Sequence, residues 1–195
     1  MSRWRTSSVH PWSRALAPAA ALALLLVASV AAAESVPVEL RAAILLRALQ
    51  YERGFGQGDG SAVLAVVASA SGGSAEDGRQ MAEAFADVSR ADRRGRAVRV
   101  ARVTHTSASA TASALSELRP AIVYLASGVQ IGRELRSLPS GTVVLCAEPE
   151  QIGSACTVTV EVSERTSRLV VDLPDAERFG LRFDARLLQL ARVIR

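Results

Sequence analysis

A seven-residue run without a single polar residue, residues 62–68, most constrains how this chain can fold. It contains only alanine, valine and leucine. A strand with one face in water alternates apolar and polar residues, whereas a strand inside a parallel sheet is covered on both faces and is apolar throughout. A second run, residues 120–126, has Tyr124 as its one residue with a polar side-chain group. Both runs predict central strands of a sheet with helices on both faces.

Segments with helical character alternate with the predicted strands. Further strands are predicted at residues 97–103, 142–146, 157–162 and 168–173. Helices are predicted at residues 38–53, 75–90, 106–118, 130–137 and 185–193. Ser74 followed by Asp77 predicts the start of the second helix, because a hydroxyl and a carboxylate at this spacing cap a helix. We expect a single α/β domain with a mainly parallel sheet covered on both faces and an antiparallel C-terminal hairpin.

The first 33 residues have the pattern of an export signal. Arg3, Arg5 and Arg14 form a positive region, an apolar run follows at residues 16–30, and three alanines end at Ala33. Small residues at this place suit a signal peptidase, so we predict a signal peptide at residues 1–33 with cleavage after Ala33. The alternative is a retained anchor, but the run is shorter than the ~20 residues that cross a bilayer as a helix. The prediction gives a domain of residues 34–195 in the periplasm, with no stable membrane insertion after cleavage.

The net charge of +4 overstates how basic the exported domain would be. Three of the 23 basic residues and none of the 19 acidic residues lie in the predicted signal, which leaves +1 for the remainder. A nearly neutral domain has no electrostatic footprint for nucleic acid or for an anionic membrane surface. We therefore expect neither as a partner.

Cys146 and Cys156 are the only cysteines, and nine residues separate them. In an oxidising compartment such a pair tends to form a disulfide. Pro149 and Gly153 between them would let two antiparallel strand ends approach, which makes bridging geometry plausible. A redox-responsive pair and free thiols remain alternatives. No histidine lies near them in the sequence, so a zinc site is not indicated and we expect no metal.

His105 is the only histidine outside the predicted signal, and it is the first residue to test for catalysis. A Ser–His–Asp site needs the histidine beside a nucleophile held on a sharp turn. Ser107, Ser109 and Ser113 follow it, but on a predicted helix start. We interpret His105 as a strand-end or capping residue. The alternative, a hydrolase, has no supporting constellation, so the sequence predicts a protein that is not an enzyme and has no cofactor.

Three other clusters are candidate sites. Glu148 and Glu150 could form an acid/base pair, but their place between the cysteines predicts a solvated loop. Residues 54–60 carry four glycines, yet a phosphate loop follows a strand and precedes a helix, and here the order is reversed. The densest basic cluster could face an anion or a partner and consists of Arg90, Arg93, Arg94, Arg96, Arg99 and Arg102.

The two ends of the exported domain carry a family resemblance. Residues 38–53, which end in Tyr51-Glu52-Arg53, and residues 180–193 resemble the opening and closing helices of the YfiR/HmsC-like family of small periplasmic proteins. Residues 121–128 resemble the family strand that ends in a small-residue turn. Residues 169–172 correspond to a family strand end that usually contains Phe, Glu and Asn, so Asp172 and the missing Phe and Glu mark a divergent member.

The resemblance implies a non-catalytic regulator. The best-understood members bind the periplasmic sensor domain of an inner-membrane diguanylate cyclase and hold it inactive, and their release raises cyclic di-GMP and promotes biofilm. Cys146 and Cys156 fall where members often carry a disulfide, while a second pair found in some members is missing. The partner-binding residues stay unknown at this stage, and a homodimer remains open.

A receptor for a small solute is the competing hypothesis, and an accessory to a sensor kinase is a further one. Ligands of open α/β sheets bind in a crevice outside the carboxyl ends of the strands. Ser127, Gly128 and residues 71–74 follow predicted strands and would line such a crevice.

Overall fold

The strands and helices were located in a computed structural model that describes residues 36–55, 60–91, 97–163 and 166–195. The predicted signal peptide and its cleavage site after Ala33 lie outside the described residues, as do Arg93, Arg94 and Arg96. The strands are β1 (Ala62–Ser69), β2 (Val98–His105), β3 (Ile122–Leu125), β4 (Val143–Cys146), β5 (Val158–Ser163), β6 (Thr166–Asp172) and β7 (Arg192–Ile194). The helices are α1 (Val38–Leu49), α2 (Gly72–Ala91), α3 (Ala108–Leu118), α4 (Leu173–Arg178) and α5 (Ala185–Leu190), with 3-10 turns at Arg133–Ser137 and Pro149–Gln151.

The strands form one sheet in the order β2-β1-β3-β4-β5-β6-β7. Neighbouring strands run parallel except β5 and β6, which form an antiparallel hairpin. Val36–Arg195 make up one compact unit. The predicted class, a single mainly parallel α/β domain with an antiparallel C-terminal hairpin, is therefore confirmed.

Helices pack on both faces of the sheet, and the side-chain alternation of the strands identifies which. Val66 pairs in register with Tyr124, so the two side chains share a face, and the Tyr124 ring packs edge-on against Phe85 of α2 with ring centres 5.4 Å apart. His105 pairs with Ser69 on the opposite face, where its Nδ1 lies 3.0 Å from Thr111 Oγ1 of α3. Helix α2 thus covers one face and α3 the other.

Gly78 sets the distance between α2 and the sheet. A Cβ atom added there would lie 2.4 Å from the Cβ of Ala68 on β1, whereas non-bonded carbons normally stay about 3.5–4.0 Å apart. Only glycine lets the helix approach the strand this closely. This contact positions the second turn of α2, including Asp77, over the ends of β1 and β3.

Several elements depart from the sequence prediction, among them the predicted helix at residues 130–137, which is only a 3-10 turn at Arg133–Ser137. Helix α2 begins at Gly72 rather than residue 75, because the Ser74 hydroxyl accepts the N–H of Ser69 at the end of β1 and does not cap the helix. The closing helix ends at Leu190, since residues 192–194 pair with β6 as strand β7. Helix α4 was not predicted. It begins where the Asp172 carboxylate accepts the N–H of Asp175, with a proline in its first turn.

Strands β4 and β5, which flank the cysteine loop at residues 147–155, run parallel. The expectation that two antiparallel strand ends approach there was therefore wrong. Strand β5 begins beside the end of β4 and overlaps it by only two pairs, Leu145 with Val158 and Cys146 with Thr159. Because the overlap is so short, the chain needs only a compact loop and one 3-10 turn, rather than a full helical crossover, to continue in the same direction.

Candidate functional site

The carboxyl ends of β1 and β3 form the topological switch point of the sheet. The chain leaves β1 toward β2 on one side and returns to β3 on the other, so the loops after the two strands diverge and leave a crevice. Residues 71–74 follow β1, and Ser127 and Gly128 follow β3. The structure thus places the predicted crevice residues at the same edge of the sheet.

Asp77 of α2 lies at this switch point. Its Oδ2 atom accepts hydrogen bonds from the Tyr124 hydroxyl and from the Ser127 N–H, both at 3.1 Å. Its Oδ1 atom lies 3.6 Å from the guanidinium of Arg41 on α1, and both side chains are mostly buried. One carboxylate therefore ties α1, α2 and the end of β3 together.

Tyr124 is fully buried beneath Asp77. Burial, and after it the negative charge of Asp77, raise the pKa of the Tyr124 hydroxyl well above its ordinary value of 10.0. The phenol therefore keeps its proton and donates a hydrogen bond to the Asp77 carboxylate. The polar groups of the switch point are bonded to one another, which makes this network a structural joint between three elements.

Glu148, which follows β4, is a second carboxylate bonded to the turn after β3, and the expectation that it is solvated was wrong. It is half-buried, and it accepts hydrogen bonds from the Ser127 hydroxyl and, at 3.5 Å, from the Gly128 N–H. Its own N–H donates to the Gln151 side chain at 3.0 Å. Glu150 is exposed as expected. The two glutamates therefore lie in different environments, although both line one cavity.

The cysteine loop is fastened at both ends. A disulfide joins Cys146, at the end of β4, to Cys156, with their Cα atoms 6.0 Å apart. Next to it, the Ala155 N–H donates to the buried carboxylate of Asp175 on α4 at 3.0 Å. Gln151 donates to the Val129 carbonyl at 2.8 Å. This loop therefore holds Glu148 against the turn after β3.

A cavity of about 320 Å³ lies between the cysteine loop and the segment after β3. Its walls are mixed, with apolar Leu125, Val129 and Ile131 opposite Glu148 and Gln151. It adjoins the crevice that was predicted for a small solute.

The remaining sequence candidates do not come together as a site. His105 ends β2 and contacts Thr111, and Ser107 caps α3 by accepting the N–H of Ala110 at 3.2 Å. Arg99 and Arg102 are exposed on β2, where their odd spacing turns them to opposite faces of the sheet edge. The described part of the basic cluster is therefore divided, and no group of three His, Cys, Asp or Glu residues suited to a metal occurs among the described residues.

The opening and closing segments of the domain meet. The carboxylate of Glu52 is buried and accepts hydrogen bonds from the N–H groups of Phe55, at 2.6 Å, and Arg182, at 3.1 Å. The Asp184 N–H donates to the Tyr51 carbonyl at 2.8 Å. The two segments that carried the family resemblance therefore stabilise one another.

An apolar groove lies beside this junction and was not predicted. We call it the α1–α5 groove. It encloses about 620 Å³ between α1 and α5 over β6, and it is lined by Ala43, Ile44, Leu46, Arg47, Ala48, Gln50, Tyr51, Val88, Ser167, Leu169, Leu187 and Leu190. Leu190 is 73% exposed. The signal for it was present in the sequence, because Ile44 and Leu46 lie outside the stripe that α1 buries.

Comparisons with known proteins bear on the family and the fold. A family model described as YfiR/HmsC-like matches residues 38–192. No curated protein matches the sequence significantly. Within the described residues, no helix is long and apolar enough to cross a membrane.

Two solved structures resemble the fold. One is the ABC domain in complex with L-Trp from Streptococcus pneumoniae, at TM-score 0.54 and 12% identity, with 81% of this chain and 62% of that chain covered. The other is a conserved domain protein from Vibrio cholerae O1 biovar El Tor, at TM-score 0.51 and 15% identity, with 82% and 60% covered. This chain thus spans about three fifths of each, and at such identity the likeness extends to the fold alone.

Proposed function

Because the chain belongs to the YfiR/HmsC-like family, we propose that it is a non-catalytic periplasmic regulator. In this proposal residues 1–33 direct export and are removed after Ala33. The remaining domain binds the periplasmic sensor domain of an inner-membrane diguanylate cyclase and restrains it, so that it limits cyclic di-GMP and biofilm formation. Family membership supports the class, and the partner is part of the proposal.

The single observation that carries the proposal beyond the family is that the polar groups at the switch point are hydrogen-bonded to one another. In this fold the crevice is the usual place for a ligand. Here Asp77, Tyr124 and Ser127 bond to one another across it. A carboxylate whose acceptor positions are used by its own chain has little left to offer a solute, which favours action through the outer surface of the domain.

The experiment that tests this proposal is capture of the partner from living cells. A tagged, exported chain is crosslinked in the envelope of the organism that encodes it, and the crosslinked proteins are identified by mass spectrometry. We expect an inner-membrane protein that has a periplasmic sensor domain and a cytoplasmic cyclase domain. A matched control carries the same tag on an unrelated exported protein. Crosslinks to soluble periplasmic proteins alone would contradict the proposal.

A periplasmic receptor for a small solute is the second candidate. The cavity of about 320 Å³ beside the cysteine loop favours it, since it combines apolar walls with a carboxylate and an amide. One structure with a similar fold was solved with L-Trp bound. Isothermal titration of the exported chain with the twenty amino acids tests this candidate. A single saturable binder that is lost in Gln151→Ala would favour it over the regulator.

A further inference from the structure

The α1–α5 groove has the features of a docking surface for a helix. Its walls are helices α1 and α5 with Val88 of α2, and its floor is strand β6, which pairs with β5 along its length and with β7 only at residues 170–172. An incoming strand would therefore find at most the short edge of residues 167–169 in this groove. A helix satisfies its own backbone polar groups and can enter an apolar groove with side chains only.

Two arginines lie at the groove. Arg47 is the one charged residue in the lining of the groove, and it is exposed. Arg47 donates to the Gln50 side chain at 2.6 Å, and no carboxylate lies within 4.0 Å of it in the described ranges. Arg186 is exposed one turn before Leu190 on α5, so it flanks the same opening. A partner that complements this surface is apolar in the centre and acidic at its margin.

We infer that the α1–α5 groove binds an amphipathic helix of the partner protein, whose apolar face fills the groove and whose carboxylates pair with Arg47 and Arg186. This inference rests on the proposed function, because it assigns the surface through which the regulator acts. A second copy of the chain is a poorer occupant. A two-fold pairing of grooves would set Arg47 against a surface whose lining contains no acidic side chain.

The binding test uses three fluorescein-labelled synthetic peptides of 18 residues and the exported chain purified from a bacterial periplasm. The first peptide has leucines at helical spacing flanked by glutamates, the second has lysines in place of the glutamates, and the third is a scrambled form of the first. Fluorescence anisotropy measures each affinity. We expect the glutamate peptide to bind at least about tenfold more tightly than the lysine peptide, and the scrambled peptide to bind more weakly still.

Variants of the groove give the decisive comparison. Arg47→Glu is expected to reverse the preference between the glutamate and lysine peptides, and Leu190→Asp is expected to weaken both. Both residues are exposed, so neither change disturbs the core. Arg102→Glu on β2 alters the same net charge away from the groove and is the matched control. Equal affinity for the two peptides, or equal loss in Arg102→Glu, would overturn the inference.

Two further measurements separate this inference from the proposed function and from self-association. Sedimentation of wild type and Leu190→Asp detects a dimer, and a dimer that dissociates in the variant would overturn the helix-docking inference. Cyclic di-GMP is measured in a deletion strain complemented with each variant. If wild type and Leu190→Asp both restore repression, the groove inference fails and the regulator stands. If peptides bind the groove but the deletion leaves cyclic di-GMP unchanged, the proposed function fails and the groove stands.

Discussion

Gly78→Ala sets two well-known effects against each other. Alanine is favoured over glycine in a helix interior by about 1 kcal/mol, so helix propensity alone predicts a more stable protein. The structure places the new methyl group 2.4 Å from the Cβ of Ala68. Relief needs a shift of more than about 1 Å between α2 and the sheet, and overpacking of this kind costs roughly 1–3 kcal/mol.

The cost of overpacking is expected to exceed the gain in helix propensity. Both colliding atoms are Cβ atoms fixed to backbone, so no rotamer change separates them, and the strain lies at the upper end of that range. After the propensity gain is subtracted, Gly78→Ala should lower the free energy of unfolding by about 2 kcal/mol. In a domain of this size that corresponds to a fall in Tm of about 4–8 °C. Urea unfolding followed by circular dichroism measures the change.

Two further variants make the reasoning refutable. Gly73 lies in the same helix with no atom within 4 Å of an added Cβ, so Gly73→Ala is expected to be neutral or stabilising. Ala68→Gly removes the other partner in the clash, and the remaining atoms near residue 78 would then be 3.7 Å away. The double variant should recover about 1 kcal/mol or more relative to the sum of the single changes. A stable Gly78→Ala, or an additive double variant, would refute the proposed contact.

Three other changes test the joints of the domain. Tyr124→Phe removes a hydrogen bond to a carboxylate and should cost about 1.5–3 kcal/mol. Because the folded-state pKa of Tyr124 is raised above 10.0, the unfolded chain loses the phenol proton at lower pH than the folded chain does. The free energy of unfolding of wild type should therefore fall as pH rises above 10.0, and it should fall less in Tyr124→Phe. Equal pH slopes of the two proteins in urea unfolding would contradict this. Cys146→Ser, or dithiothreitol added to wild type, should cost roughly 2–3 kcal/mol, because opening the closed loop raises the conformational entropy of the unfolded chain. An unchanged urea midpoint would argue against a structural disulfide. Asp175→Ala leaves the Ala155 N–H buried without its acceptor and should cost about 1–3 kcal/mol of stability. Arg178→Ala, which removes the exposed partner of the Asp175 ion pair, should cost less than about 1 kcal/mol. Equal losses in the two variants would show that the buried acceptor does not account for the effect.

The strands of the sheet were predictable because burial leaves a direct mark on sequence. Residues 62–68 are apolar throughout and residues 120–126 are apolar but for the Tyr124 hydroxyl, and both runs form central strands, whereas the alternating β2 lies at the edge. The ends of elements were less predictable. Ser74 fits a helix cap equally well in sequence, but its hydroxyl is used by the Ser69 N–H, a tertiary choice that local pattern does not encode.

The structural role of Asp77 was predictable from the sequence, but the spacing of Asp77 from Ser74 predicts a helix cap instead. Asp77 lies four residues before Met81 and eight before Phe85, so it shares a helix face with these two buried apolar residues. A carboxylate on a buried face requires hydrogen-bond donors, and that requirement predicts a polar joint. Which donors meet it, Tyr124 and Ser127, depends on a strand about fifty residues away, and a single sequence does not specify that pairing.

The α1–α5 groove was missed for a different reason. Its walls come from both ends of the domain, α1 and α5, with Leu169 of β6 between them. Each apolar residue of the groove is unremarkable by itself, because exposed leucines are common on protein surfaces. Only the meeting of the two ends, through Glu52 and Arg182, makes a continuous surface of them.

The most direct test of the central claim is intracellular cyclic di-GMP in a deletion strain of the organism that encodes this chain. The strain is complemented either with the full chain or with a form that lacks residues 1–33 and stays in the cytoplasm. The account predicts that deletion raises cyclic di-GMP and that only the full chain restores the wild-type level. An unchanged level on deletion, or restoration by the cytoplasmic form, would contradict a regulator that acts at the periplasmic face of the inner membrane.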